Sequence, residues 1–149
     1  MYFSQIDDCT LEWTFDSDSI DYVHMKFLNG SIPDWDFLIQ EAFRCLKPGG
    51  YLESMEPSTV IQSDDGSVNE NTAFSQWGKI FIAGGKKSGR SFSIVEDEVI
   101  ENAMRRAGFK DVKVWTRKAS PNAQVINARL HFGVYRLWTL LTSNAGAHL

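Results

Sequence analysis

Three ionisable side chains lie on stretches that read as strands: His24 in Ile20 to Leu28, and Glu53 and Glu56 in Tyr51 to Glu56. An imidazole or a carboxylate can hold or accept a proton near neutral pH. A carboxyl removed from water keeps its proton to higher pH, so Glu56 can act as a neutral donor or a general acid. Trp13, Tyr51, Met55, Phe74, Trp77 and Phe81 supply apolar side chains able to wall a cavity. Such a set suits chemistry that needs no cofactor. An apolar terpenoid or polyketide is folded into a reactive conformation, and one or two donors aimed at its carbonyl stabilise developing charge, as an isomerisation or pericyclic ring closure requires. Each residue also has a plainer reading: the aromatics as core, the glutamates as solvated strand ends, His24 as a histidine satisfied by a backbone carbonyl. His131 and Tyr135, four apart, share one face of a helix and line either a pocket or the surface.

The elements that must position these groups are legible in the hydrophobic spacing. From Asp34 the residues Trp35, Leu38, Ile39, Ala42, Phe43 and Leu46 recur at steps of three and four, with Asp36, Gln40, Glu41, Arg44 and Lys47 off the stripe, which predicts a helix ending near Lys47. The Pro48-Gly49-Gly50 turn then delivers the chain into the strand Tyr51 to Glu56, half of a βαβ unit. A second helix is expected over Asn69 to Ala83, ended by Gly84-Gly85. A third is opened by a Ser93-Ile94-Val95-Glu96 capping box and closed by Gly108. Alternation predicts a strand from Asp111 to Thr116, and Ile126, Leu130, Val134, Leu137, Trp138 and Leu141 predict a long amphipathic helix from Val125 to Leu141.

The runs Glu12-Trp13-Thr14-Phe15, Ile20-Asp21-Tyr22-Val23-His24-Met25, Ser31-Ile32-Pro33-Asp34-Trp35 and Glu41 to Glu53, with its Leu46-Lys47-Pro48-Gly49-Gly50 turn, resemble the class I S-adenosylmethionine-dependent methyltransferases. More narrowly, they are similar to the fungal secondary-metabolism branch related to the regulator LaeA. The resemblance covers roughly Asp7 to Trp115. It implies an α/β fold: a partial Rossmann-like sheet of about three strands with flanking helices, in two or three layers. It also implies that Asp7 or Asp8 matches a loop carboxylate that contacts the cofactor's adenine in the family; the plainer reading is a solvated loop. The family's cofactor pocket further needs a glycine-rich turn after its first strand and an acidic residue ending its second. Neither is found, so relative to the family the chain begins near the third strand.

That omission sets the expectations. Lacking the cradle, the domain, taken as one unit over residues 1–149, is expected to use no cofactor and to work as a cyclase or isomerase on an apolar natural product. A methyltransferase, or a fragment completed by a partner, and a non-catalytic partner protein are the alternatives. The strand from Ile20 to Leu28 is expected to expose an unpaired edge, a liability that an isologous homodimer would cover. At 149 residues, 43% hydrophobic, the chain suits a single core. The net charge of −4 leaves no basic stripe for nucleic acid. Cys9 and Cys45 are expected to be small buried thiols, and no spacing suggests a metal. No run approaches the length of a membrane span, so no membrane partner is expected and the cytoplasm is the expected compartment.

Overall fold

A computed structural model describes residues 6–117 and 137–143. The helix expected from Asp34 is α1, Trp35–Cys45, capped by the Asp34 carboxylate, which accepts from the Phe37 N–H at 2.9 Å. Its stripe is buried as expected at Trp35, Leu38, Ile39, Ala42 and Leu46, with Phe43 half-buried against the core and Cys45 buried beside the stripe. The backbone turns extended at Leu46, so β2, Leu46–Glu56, starts earlier than expected and takes in the Pro-Gly-Gly turn. Upstream lies β1, Ile20–Lys26, parallel to β2.

The second helix, α2, Ala73–Ser88, runs through Gly84-Gly85 and stops at Gly89. These glycines do not end the helix. A Cβ on Gly85 would sit 2.3 Å from the Arg90 carbonyl oxygen and one on Gly78 2.5 Å from that of Thr59. Gly78 and Gly85 therefore let α2 lie flush against the loops at 59 and 90. The capping box also forms differently. Ser93 bonds Asp97 across a turn, Glu96 accepts from the Ser58 hydroxyl, and α3, Val99–Ala107, opens after Glu98 with no side-chain cap. Gly108 closes it.

β3, Lys110–Arg117, is the expected strand, but the segment Leu137–Ser143 is a strand, β4, where the end of a long helix was expected. The rest of that expected helix, with His131 and Tyr135, lies outside the described residues. β4 runs antiparallel between β2 and β3, giving the order β1-β2-β4-β3. Five of its seven residues, Trp138 to Leu141 and Ser143, pair on both sides, and a helix in their place would leave the facing edges of β2 and β3 unpaired.

Helices α1 and α3 pack together on one face of the sheet. They form a single core with Met25 of β1, Leu52 of β2, and Val112 and Val114 of β3. The other face carries Tyr22, His24 and Lys26 beside Tyr51, Glu53 and Met55, with Lys113 and Trp115 further along. Tyr22 and Tyr51 are each 50% exposed, and no described helix covers them. β1 is a terminal strand of the sheet.

Before β1 the chain is clasped to α1. The Glu41 carboxylate, buried although it was expected off the stripe, accepts from the Trp13 N–H and from Arg44, whose guanidinium donates onward to the Trp13 and Phe15 carbonyls. The Arg44 guanidinium holds the Glu41 carboxyl below its ordinary range. Cys45 is buried, but Cys9 is exposed, contrary to expectation, because it lies on the loop outside this clasp.

Candidate functional site

Alternation along β1 puts Tyr22 and His24 on one face, and the parallel register sets His24 opposite Glu53. His24 Nδ1 lies 2.9 Å from Glu53 Oε2, and the Tyr22 hydroxyl donates to the same carboxylate. The two rings of β1 stack with centroids 6.3 Å apart. Hydrogen bonding from Tyr22, and secondarily from His24, holds the Glu53 carboxyl below its ordinary range despite some desolvation. The Tyr22 phenol is pushed up to about 12, chiefly by donating to that carboxylate. An ionised Glu53 only accepts, so Nδ1 carries the imidazole proton and Nε2 is left as a proton acceptor. The cluster can therefore take a proton at Nε2, with Glu53 fixing the tautomer and Tyr22 fixing Glu53.

Replacing Tyr22 with Phe tests this order of support. In Tyr22→Phe the Glu53 carboxyl should titrate nearer 4.5 in carbon-detected NMR, and the phenolate absorbance rise near 12 should vanish. A depressed carboxyl stabilises the fold above its unfolded value and loses that contribution as pH falls through the folded value. The variant should thus show a smaller loss of stability on acidification below 4.5. An unmoved Glu53 titration would remove Tyr22 from the cluster.

The other expected catalytic group is elsewhere. Glu56 is three residues from Glu53, and in a strand an odd step reverses the face. It is 1% exposed, and its two carboxylate oxygens accept from the N–H groups of Leu28 and Asn29 at 3.0 and 2.8 Å. Burial pushes its carboxyl up while these bonds oppose the rise. Glu56 thus fastens the turn that leaves β1; it is neither a solvated strand end nor part of the cluster around His24.

The expected cavity wall is likewise dispersed. Trp13 packs beside Phe15 at the end of α1, Tyr51 and Met55 lie on the open sheet face, and Phe74, Trp77 and Phe81 are on α2, where Phe81 meets the Trp77 and Phe92 rings at tilted angles. A cavity of about 10 Å³ beside Ser54 and Glu56 is too small for a substrate, and one of about 310 Å³ between Ile82, Lys86, Arg90, Phe92 and Asp97 contains none of the six. Tyr22 was missed by the sequence reading. Its signal was its place two residues before His24, on the same face of the same strand.

For the cofactor that the resemblance implies, the loop carboxylates are exposed and hydrogen-bonded within their own loop. Asp8 accepts from the N–H and hydroxyl of Thr10, and Asp7 from the Thr14 hydroxyl. The described glycine pairs lie within β2 and α2, with none at the exit of a strand into a helix. The residues described do not by themselves fit S-adenosylmethionine. Among them no cluster of His, Cys, Asp and Glu is placed to hold a metal ion, and no helix is long and apolar enough to cross a membrane.

A parallel pair continued by an antiparallel insertion, with helices on one face, is a partial Rossmann-like sheet. The model of the methyltransferase domain family matches residues 2–114, and the chain belongs to that family. Its relatives place it in the fungal secondary-metabolism branch. It is 37% identical over 102 residues to the probable methyltransferase tdiE of Emericella nidulans, covering 68% of this chain and 31% of that protein. It is 34% identical over 102 residues to the secondary metabolism regulator LAE1 of Gibberella fujikuroi, covering 66% and 32%. The chain thus spans about a third of the length of these relatives. Among solved structures, a SAM-dependent methyltransferase from Methanosarcina mazei superposes with a TM-score of 0.58 at 16% identity over 94% of this chain and 66% of that one. The phosphoethanolamine N-methyltransferase 2 of Haemonchus contortus, in complex with S-adenosyl-L-methionine, does so with a TM-score of 0.56 at 18% identity over 92% and 35%.

Proposed function

We propose that this chain is the acceptor-side portion of a SAM-dependent methyltransferase of natural-product metabolism, active when a complementary polypeptide carrying the glycine-rich turn adds to the edge of β1. The observation that carries this reading is the conjunction of family membership with a terminal β1 that carries exposed Tyr22, beside exposed Tyr51 of β2 on the same sheet face. Docking there would enclose the Tyr22–Glu53–His24 cluster at the seam, where an acceptor's acidic hydrogen can pass to His24 Nε2. When bound, S-adenosylmethionine supplies the methyl group. An apolar small molecule is the expected acceptor, and a homodimer through the same edge is the competing occupant.

Calorimetric titration with S-adenosylmethionine tests the proposal. The chain alone should show no saturable heat at micromolar cofactor. A mixture with the part of the Emericella nidulans relative outside the matched 102 residues should. Saturation by the chain alone would remove the need for a complement, and silence in both would overturn the methyltransferase reading. The second reading is the cofactor-free cyclase or isomerase, favoured by a cluster that holds and moves a proton with no added group. Sedimentation showing a dimer, with no cofactor binding in either titration, would favour it.

A further inference from the structure

We infer that Lys26 and Phe27, at the carboxyl end of β1, form the subsite that selects the acceptor, and that it takes a planar conjugated acid with a hydroxyl at one end and an anionic group at the other. The inference rests on the methyltransferase reading for that ligand's role, and narrows the apolar acceptor to one with a charged end. Ligands of open α/β sheets bind outside the carboxyl ends of parallel strands, and β1 ends there. At that end Phe27 adopts φ +57°, the left-handed region that an aromatic residue rarely enters. Asp18 and Asp111 also enter it, but a short polar side chain can hydrogen-bond locally there and a phenyl ring cannot. Three successive hydrogen bonds hold the strained turn: the Phe27 N–H donates to the Met55 carbonyl at 3.1 Å, and those of Leu28 and Asn29 donate to Glu56. Core burial does not offset the strain, because the Phe27 ring is 56% exposed. A strained backbone that carries its ring into solvent is accounted for when the ring has a ligand to meet.

The neighbours of the ring indicate the ligand. Lys26 Nζ lies 4.8 Å from the centroid of the Phe27 ring. Among the described residues no carboxylate comes within ion-pairing distance of that ammonium. The ring thus offers an apolar plane, and the exposed ammonium beside it an unneutralised charge, which together suit an anion carried on a conjugated skeleton. Lys26 shares the open sheet face with His24, two residues back and about 7 Å away along the strand. A ligand with its anion at Lys26 therefore presents its other end to His24 Nε2, the proton acceptor of the cluster. That end has to carry an acidic hydrogen, and a phenolic hydroxyl meets the requirement.

Equilibrium dialysis of the 149-residue chain against para-coumarate, and against its methyl ester, tests this with neither cofactor nor complement present. The two probes share the ring and the hydroxyl, and the ester lacks the charge. The acid should bind about tenfold more tightly, the advantage of a charge-assisted contact. Lys26→Met, which keeps an unbranched apolar stem, should bring the acid down to the level of the ester. Phe27→Gly should weaken both probes while its urea midpoint stays at or above that of the unaltered chain, because glycine takes the left-handed backbone without strain. A ring with a purely structural role would show the opposite, a lowered midpoint. Equal uptake of acid and ester by the unaltered chain, uptake of neither, a lowered midpoint in Phe27→Gly, or probe binding by that variant at the parent level would overturn the inference. Should Phe27→Gly unfold outright, the comparison of acid with ester on the unaltered chain and on Lys26→Met decides. The result is separable from the cofactor titration. Preference for the acid with both titrations silent would keep the subsite and remove methyl transfer, and cofactor binding without that preference would do the reverse.

Discussion

Glu56→Ala should cost about 2–3 kcal/mol of folding stability in urea, because the Leu28 and Asn29 N–H groups would be left without acceptors in a half-buried turn. The size follows from the asymmetry of buried hydrogen bonds. Making one contributes little net, while orphaning a donor costs its full desolvation. Glu56→Gln should cost less, since its amide oxygen still accepts one N–H, and it separates geometry from charge. Burial raises the Glu56 carboxyl above 4.5, so the folded state holds its proton to higher pH than the unfolded chain does. Stability from this group is accordingly greatest at low pH and declines as pH rises from 4.5 through the raised value, opposite in sign to Glu53. Unfolding curves of Glu56→Gln across that window should be flatter than those of the unaltered chain. An Ala variant as stable as the parent would show that the turn holds without its carboxylate.

His24→Gln should lower turnover by about 10²–10⁴-fold in the completed enzyme with little change in substrate affinity, the range expected for loss of a positioned proton acceptor. Gln keeps a hydrogen-bond donor to Glu53 but offers no basic nitrogen at the Nε2 position. Structural support from the side chain is thereby largely retained while proton acceptance is removed. The pH profile of the rate carries the sharper information: it should change in the variant. A variant whose rate and profile both match the parent would take His24 out of the reaction and leave the cluster as a surface network across the β1–β2 pair.

What could be read from the sequence depended on whether the deciding contact was local. The stripe of α1 is local, and Trp35, Leu38, Ile39 and Ala42 are all buried. Glu41 interrupts the same helix as a buried carboxylate because its partner backbone at Trp13 lies 28 residues upstream, which no helical wheel displays. Leu137, Trp138 and Leu141 satisfy helical spacing yet form β4, since their state is set by two ladders contributed by β2 and β3. Gly85 reads as a terminator but serves close approach to Arg90, again a contact made through the fold. The site was half legible. His24 and Glu53 were chosen as chemistry-bearing residues and do meet; the opposed faces of Glu53 and Glu56 followed from strand parity alone, and Tyr22 from the same rule applied to β1. The family was legible because the Leu46 to Gly50 turn and its flanks are contiguous.

The strand order has a consequence for how the molecule is made. Among the described residues β3 pairs with β4 alone, and β4 also completes the second side of β2, so the segment that joins the two parts of the sheet is the last one described. As the chain leaves the ribosome, the β1–β2 hairpin-less pair with α1 can assemble early, while β3 must wait for residues 137–143 before its backbone finds a neighbour. The newborn chain therefore carries a provisional sticky ribbon until residues 137–143 have emerged. Chaperone capture should concentrate on that interval, ceasing once residues 137–143 slot between their two neighbours.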